Sequence, residues 1–311
     1  MPRDMEPTRT LLRRLRWTVV KPLARRLNGD ERSRLTGAGV EFAAVRDYQP
    51  GDDVRRIDWN LTARANTPFV RMAQAEGALD VWLVVDVSGS VDWGTAECLK
   101  RYRAIELAAV ASQLLGHHGN RTGLLLFADR PVAMVPPGAG GSHMERVVGK
   151  LRLHPRSTAR GATDLAGALK AVQSLARQPS LIVLATDFLV DDGWVNPLRM
   201  LAQRHEVVAA RMRDPREVDL PDVGIATFED PETGEQLMVD TGDRRLRERF
   251  AAAAAAQGQR IDAALLGCGV DQVVLDTDRA LLPVLAAFLE ARRRKSVARG
   301  GTRPWRGPSA A

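Results

Sequence analysis

A chain of 311 residues with 45% hydrophobic and 27% charged residues can bury a real core, which excludes overall disorder. Its net charge of +7 belongs to the ends: residues 1–27 carry eight Lys or Arg against two acids, and residues 292–311 carry seven against none. The middle then holds 30 basic and 36 acidic residues, so a broadly cationic body is excluded, and only the ends are suited to anionic lipid, nucleic acid or an acidic protein.

Residues 1–35 are basic and helical in part. Trp17-Thr18-Val19-Val20 is an apolar patch between basic clusters, which fits either a helix lying on a membrane surface or one packed on the domain. Residues 36–78 are richer in Gly, Pro, Asp and Arg and form an accessory segment with short extended stretches such as Phe69-Val70-Arg71-Met72. From residue 79 the pattern changes. Asp80–Val87, Thr122–Ala128 and Ser180–Thr186 are nearly unbroken apolar runs, the signature of strands buried on both faces. Between and after them, helical spacing predicts helices over 97–118, 144–153, 165–177 and 195–205, with further strands over 131–135 and 207–212. Two short extended runs, 225–228 and 236–240, flank a Pro- and Gly-containing turn and predict a hairpin. A helix over 244–266, a strand over 272–275 and a helix over 279–294 follow. The alternation predicts an α/β doubly wound, mostly parallel sheet flanked by helices over 79–294, with the hairpin inserted at about 224–241 and grouped with the accessory segment as a small β-rich lobe. Residues 295–311 are expected to be a disordered basic tail.

In such a sheet, ligands bind at the carboxyl ends of the strands. Asp86 and Asp187 both fall there. Asp86-Val87-Ser88-Gly89-Ser90 offers one carboxylate and two hydroxyls in a single loop, all hard oxygen donors suited to Mg²⁺, with Mn²⁺ or Ca²⁺ as alternatives. Thr163, in Gly161-Ala162-Thr163-Asp164-Leu165 at a helix start, adds a hydroxyl, and Asp187 adds a carboxylate after the third apolar run. Each alone has a plain structural reading: a helix cap for the hydroxyls, a strand-end turn for Asp187. Together, in this order, they resemble the metal-ion-dependent adhesion site of von Willebrand factor A domains. That resemblance implies a cation held by Asp86, Ser88, Ser90 and Thr163, with Asp187 bound through water and one position left for an acidic group of a partner. Asp164, Asp191 and Asp192 are read as solvated acids.

A second resemblance is carried by Gly37-Ala38-Gly39-Val40-Glu41-Phe42, Arg46-Asp47-Tyr48-Gln49-Pro50-Gly51-Asp52-Asp53, Arg55-Arg56-Ile57-Asp58-Trp59, Thr62-Ala63-Arg64, Asp214-Pro215-Arg216-Glu217 and Asp230-Pro231-Glu232-Thr233-Gly234. Over roughly residues 33–295 these resemble the bacterial family catalogued as domain of unknown function 58. The resemblance implies a von Willebrand A-like domain with its metal site. It also implies a MoxR-type AAA+ ATPase as partner, in a chaperone or assembly system that acts on a client protein.

Other classes find less support. A haloacid dehalogenase-type phosphatase needs a second Asp two residues after the first, and Ser88 stands there. No GxGxxG or P-loop opens a helix. His117 and His118 fit a solvated helix end. Cys98 and Cys268 are far apart, without metal-ligand spacing, and read as free thiols. No run reaches the about 20 apolar residues of a membrane span, and no signal peptide is evident, so a cytoplasmic location is expected, with peripheral contact to the inner membrane face through the basic ends. The expectation is a non-enzymatic, metal-dependent protein-interaction module. The alternatives are a metal-dependent hydrolase or phosphatase, and nucleic-acid or anionic-membrane binding through the basic tails.

Overall fold

The computed structural model describes residues 8–20, 45–47, 57, 62, 69–71, 79–115, 120–155, 162–230 and 233–298. The chain divides into two compact units, one formed by Met1–Asn28 with Leu79–Ala311, the other by Gly29–Ala78. The first begins with helix α1 (Thr8–Leu15), continued by a π-helical turn to Val20. In the second, β1 (Val45–Asp47) pairs antiparallel with β2 (Phe69–Arg71).

The first unit then runs β3 (Asp80–Asp86), α2 (Lys100–Leu115), β4 (Arg121–Phe127), β5 (Pro131–Gly138), α3 (Gly141–Arg152), α4 (Leu165–Leu175), β6 (Leu181–Thr186), α5 (Val195–Arg204), β7 (Glu206–Arg213), β8 (Ile225–Glu229), β9 (Gln236–Asp240), α6 (Arg244–Gly267), β10 (Asp271–Asp276) and α7 (Leu281–Ala298). Six strands form one sheet in the order β10-β7-β6-β3-β4-β5. All neighbours are parallel except the edge strand β5, which runs antiparallel to β4. This is the expected doubly wound α/β sheet.

The two-residue period of a strand sorts its side chains to opposite faces. Val81, Leu83 and Val85 of β3 join one apolar layer with Leu124, Leu126, Val183 and Val208, and α1, α2, α3 and α7 cover it. Trp82 and Val84 join the other with Leu125, Phe127, Ile182, Leu184 and Ala209, beneath α4, α5 and α6. Both faces being covered is why these strands read as unbroken apolar runs.

Three details depart from the sequence reading or decide between its options. Leu11, Leu12, Leu15 and Val19 are buried in the first layer, so the basic N-terminal helix packs on the domain. Gln113 Nε2 fastens it by donating to Leu12 O at 2.9 Å. The last helix continues to Ala298, so residues 295–298 are helical rather than part of a disordered tail. The β8–β9 hairpin forms its own two-stranded sheet, as does the pair in the second unit. Gly161, His117, His118, Tyr48, Trp59, the side chain of Trp17 and residues 299–311 lie outside the described residues.

Candidate metal centre

β3 ends in Asp86, which is 1% exposed. Its carboxylate accepts from Ser88 N at 2.9 Å on Oδ1 and from Thr186 Oγ1 at 2.7 Å on Oδ2. The first bond folds the loop back on the strand end, and the second ties it to β6. After the turn, Ser88 Oγ and Ser90 Oγ lie 3.1 Å apart. Val87 N donates to Phe127 O, and Asp164 N donates to Ala128 O, both at 2.8 Å. These links gather the loops after β3 and β4 and the approach to α4 at one sheet edge. Thr163 is buried there, and Asp164 caps α4 by accepting from Gly167 N. Asp191 and Asp192 are exposed.

Asp187 follows β6 and is 2% exposed. Its Oδ1 accepts from Leu189 N at 3.0 Å. The turn runs through Phe188 at φ 60°, the sole non-glycine residue with positive φ among the described residues. Such a conformation costs a bulky residue about 1–2 kcal/mol. Burial of the Phe188 ring, edge-on to Trp194 at 5.1 Å, keeps it in place. Strain of this kind, beside a buried carboxylate, is what a preorganised site carries.

Asp86 and Asp187 feel each other. Burial, then the like charge of Asp187, raise the Asp86 carboxyl to about 7, against the hydrogen bonds from Ser88 and Thr186. Two carboxylates held together out of water favour a cation between or beside them. The hydroxyl pair fits as well: adjacent ligands of an octahedral Mg²⁺ at about 2.0–2.1 Å lie about 3 Å apart. No cluster of three or more His, Cys, Asp or Glu suited to a metal occurs among the described residues, so the donor set here is a mixed one of carboxylates and hydroxyls. On these grounds the residues fit a hard divalent cation.

The sequence reading missed the group that touches Asp187 most closely. Lys100, the first residue of α2, is 1% exposed, and its Nζ donates to Asp187 Oδ2 at 2.7 Å and to Glu217 Oε1 at 2.5 Å. The Trp93 ring centroid lies 6.0 Å away. Burial works against the ammonium, but Asp187 and Glu217 outweigh it and hold Lys100 above the ordinary lysine value.

Glu217 is delivered by the Asp214-Pro215-Arg216-Glu217 turn after β7. Asp214 caps it, accepting from Arg216 N, while Glu217 Oε2 accepts from Asp214 N at 2.9 Å. Asp214, fully buried, also accepts from Thr95 N at 2.7 Å, Thr95 Oγ1 at 2.5 Å and Thr277 Oγ1 at 2.6 Å. Burial would raise its carboxyl, but the bonds from Thr277, Thr95 and Arg216 hold it below the usual carboxylate range. Thr95 reaches Asp214 from a loop folded tightly at Gly94, where a Cβ would lie 2.5 Å from Cys98 O.

A family described as "protein of unknown function DUF58" matches residues 44–260. An uncharacterized protein of Mycobacterium tuberculosis is 40% identical over 289 residues, covering 92% of this chain and 90% of that protein. The chain belongs to the DUF58 family. Among solved structures, the conserved hypothetical protein BatB of Bacteroides thetaiotaomicron is similar at a TM-score of 0.47 with 14% identity, covering 70% of this chain and 100% of that one. The SpRpn10 VWA domain is similar at a TM-score of 0.38 with 11% identity, covering 69% and 95%.

Proposed function

We propose that this DUF58 chain is a non-enzymatic interaction module. Its divalent cation, Mg²⁺ by donor chemistry, is held by Asp86, Ser88, Ser90 and Thr163, with Asp187 acting through water, and its working partner is a MoxR-type AAA+ ATPase that acts on a client protein. The observation that carries the reading is the pairing of two buried, mutually repelling carboxylates with two hydroxyls 3.1 Å apart at the carboxyl edge of the sheet. The cation would supply a point of attraction for a carboxylate. The chain's residues do the rest: Thr186 and the Ser88 amide orient Asp86, and the Phe188 turn fixes Asp187.

The hairpin supports an interaction role. It follows β7, whose carboxyl end lies at the same edge, and it exposes Ile225, Leu237 and Met238 at 71%, 65% and 72%. Exposed large apolar groups on a two-stranded sheet are suited to covering by a partner. Residues 219–243 carry eight acids and no Lys or Arg, so the covering surface would be basic as well as apolar. Among the described residues no helix is long and apolar enough to cross a membrane.

The test is calorimetric titration with Mg²⁺ and Mn²⁺, then capture of the purified ATPase with and without chelator. Wild type should bind one cation saturably and capture the ATPase only with cation present. Asp86→Ala should lose both while keeping a cooperative melt. Capture unaffected by chelator and by Asp86→Ala would refute the proposal.

A further inference from the structure

A lysine with 1% exposure would shed its proton unless carboxylates hold it charged. Lys100 has two, from separate parts of the chain: Asp187 after β6 and Glu217 after β7. The two carboxylates of the candidate centre, Asp86 and Asp187, therefore stand beside one built-in positive charge, which Asp187 shares with Glu217. Nearby Arg211 has a partner of its own, Asp262 Oδ1 at 3.3 Å.

This arrangement has an electrostatic consequence for a cation at Asp86, Ser88 and Ser90. Besides Asp86, Asp187 is the carboxylate that would offset the cation's charge, through water, and its Oδ2 already accepts from the ammonium. The protein thus withholds negative charge from the cation. A dication seated there keeps more of its positive charge, and the ammonium on Asp187 adds to the same field. Both raise the attraction for an anion arriving from outside.

We infer that Lys100 is a specificity-determining residue of this centre, which lowers the affinity for the bare cation and raises the affinity of the bound cation for a partner's carboxylate. The inference rests on the cation site proposed above and assigns Lys100 a role in partner choice. Glu217 tunes the effect by sharing the ammonium, and the turn that holds Glu217 is tied through Asp214 to Thr95 and Thr277. A merely structural ion triad predicts something else: removing the lysine would loosen the site and weaken both kinds of binding.

Two probes on the full chain separate the roles: Mn²⁺ affinity by calorimetry, and acetate affinity at bound Mn²⁺ from paramagnetic relaxation of the acetate methyl protons. Lys100→Met should tighten Mn²⁺ about tenfold or more and weaken acetate by a comparable factor, since it frees the Asp187 carboxylate that the ammonium holds at 2.7 Å, and one charge within about 4–6 Å shifts such equilibria by about 1–3 log units. Lys100→Arg, which keeps the charge, should behave as wild type in both. Glu217→Gln should move both readouts the opposite way, with weaker Mn²⁺ and tighter acetate, and it decides the question should Lys100→Met fail to fold. A Lys100→Met protein that binds Mn²⁺ no better than wild type, or in which both affinities move together, overturns the inference while leaving the cation site standing. A wild type that binds no Mn²⁺ overturns the site and the inference with it.

Discussion

At Asp86 a carboxylate sits out of water beside another of the same sign, and its carboxyl rises to about 7, from burial first and Asp187 second. In the unfolded chain it would titrate near 4. The folded, cation-free protein therefore holds that proton toward neutrality. Its contribution to stability is full below about pH 4 and is lost as pH climbs to about 7, on the order of a few kcal/mol. A cation reverses the penalty by favouring the ionised form. The Mg²⁺-induced rise in Tm should then be small at pH 5 and several degrees larger at pH 8. Equal shifts at both, by differential scanning calorimetry, would place Asp86 outside the cation's field. Ser90 offers the gentler probe because it is only half-buried. Ser90→Ala should cost under about 1 kcal/mol of stability yet weaken Mn²⁺ binding about tenfold, read by calorimetry; unchanged binding would remove its hydroxyl from the ligand set. Asp86, Ser88 and Ser90 were legible because one loop carries all three. Lys100 was not, since a single Lys at a helix start reads as solvated and its acid partners lie 87 and 117 residues away. A faint signal existed: Lys100, Arg103 and Glu106 recur at helical spacing, and all three prove buried.

Among the elements, the Asp214–Glu217 turn does most to join distant segments. The sequence marked it as a family motif without saying why. In the fold, Asp214 binds the loop before α2 and the end of β10, while Glu217 reaches Lys100. Asp214→Asn keeps the shape but loses the charge that four donors, two hydroxyls and two backbone amides, address. It should lower stability by about 2–4 kcal/mol, seen as a lower urea midpoint with unchanged m-value; a midpoint equal to wild type would show that these bonds are not formed in solution. The parallel strands were readable because each is covered on both faces and needs apolar residues throughout. The N-terminal segment was ambiguous because its apolar patch Trp17-Thr18-Val19-Val20 lies between basic clusters, a pattern that a membrane surface and a protein core satisfy equally. Leu15, 1% exposed, now distinguishes them: Leu15→Ala should cost about 2–5 kcal/mol, whereas a surface-lying helix would lose almost nothing.

For the whole molecule, the unit at Gly29–Ala78 is an insertion between α1 and the sheet that α1 helps to cover. Replacing it with a flexible linker of similar reach should leave the rest with a single cooperative melt, because both core layers lie in the other unit. A broad, non-cooperative melt would show that the sheet depends on the insert. Sequence pattern could locate the change of character at residue 79. It could not reveal that the chain before the insert belongs with the chain after it, since that depends on contacts across the whole insert.

The placement of α1 also bears on how the chain is made. During synthesis its leucines leave the ribosome well before α2 and α3, which will cover them, have been translated. At about 5–20 residues per second the wait is on the order of ten seconds. Throughout it, a short basic segment with a greasy stripe lacks the helices that will bury it, an open invitation to chaperones or to an anionic bilayer, and the sheet must close that window before the protein is safe from aggregation.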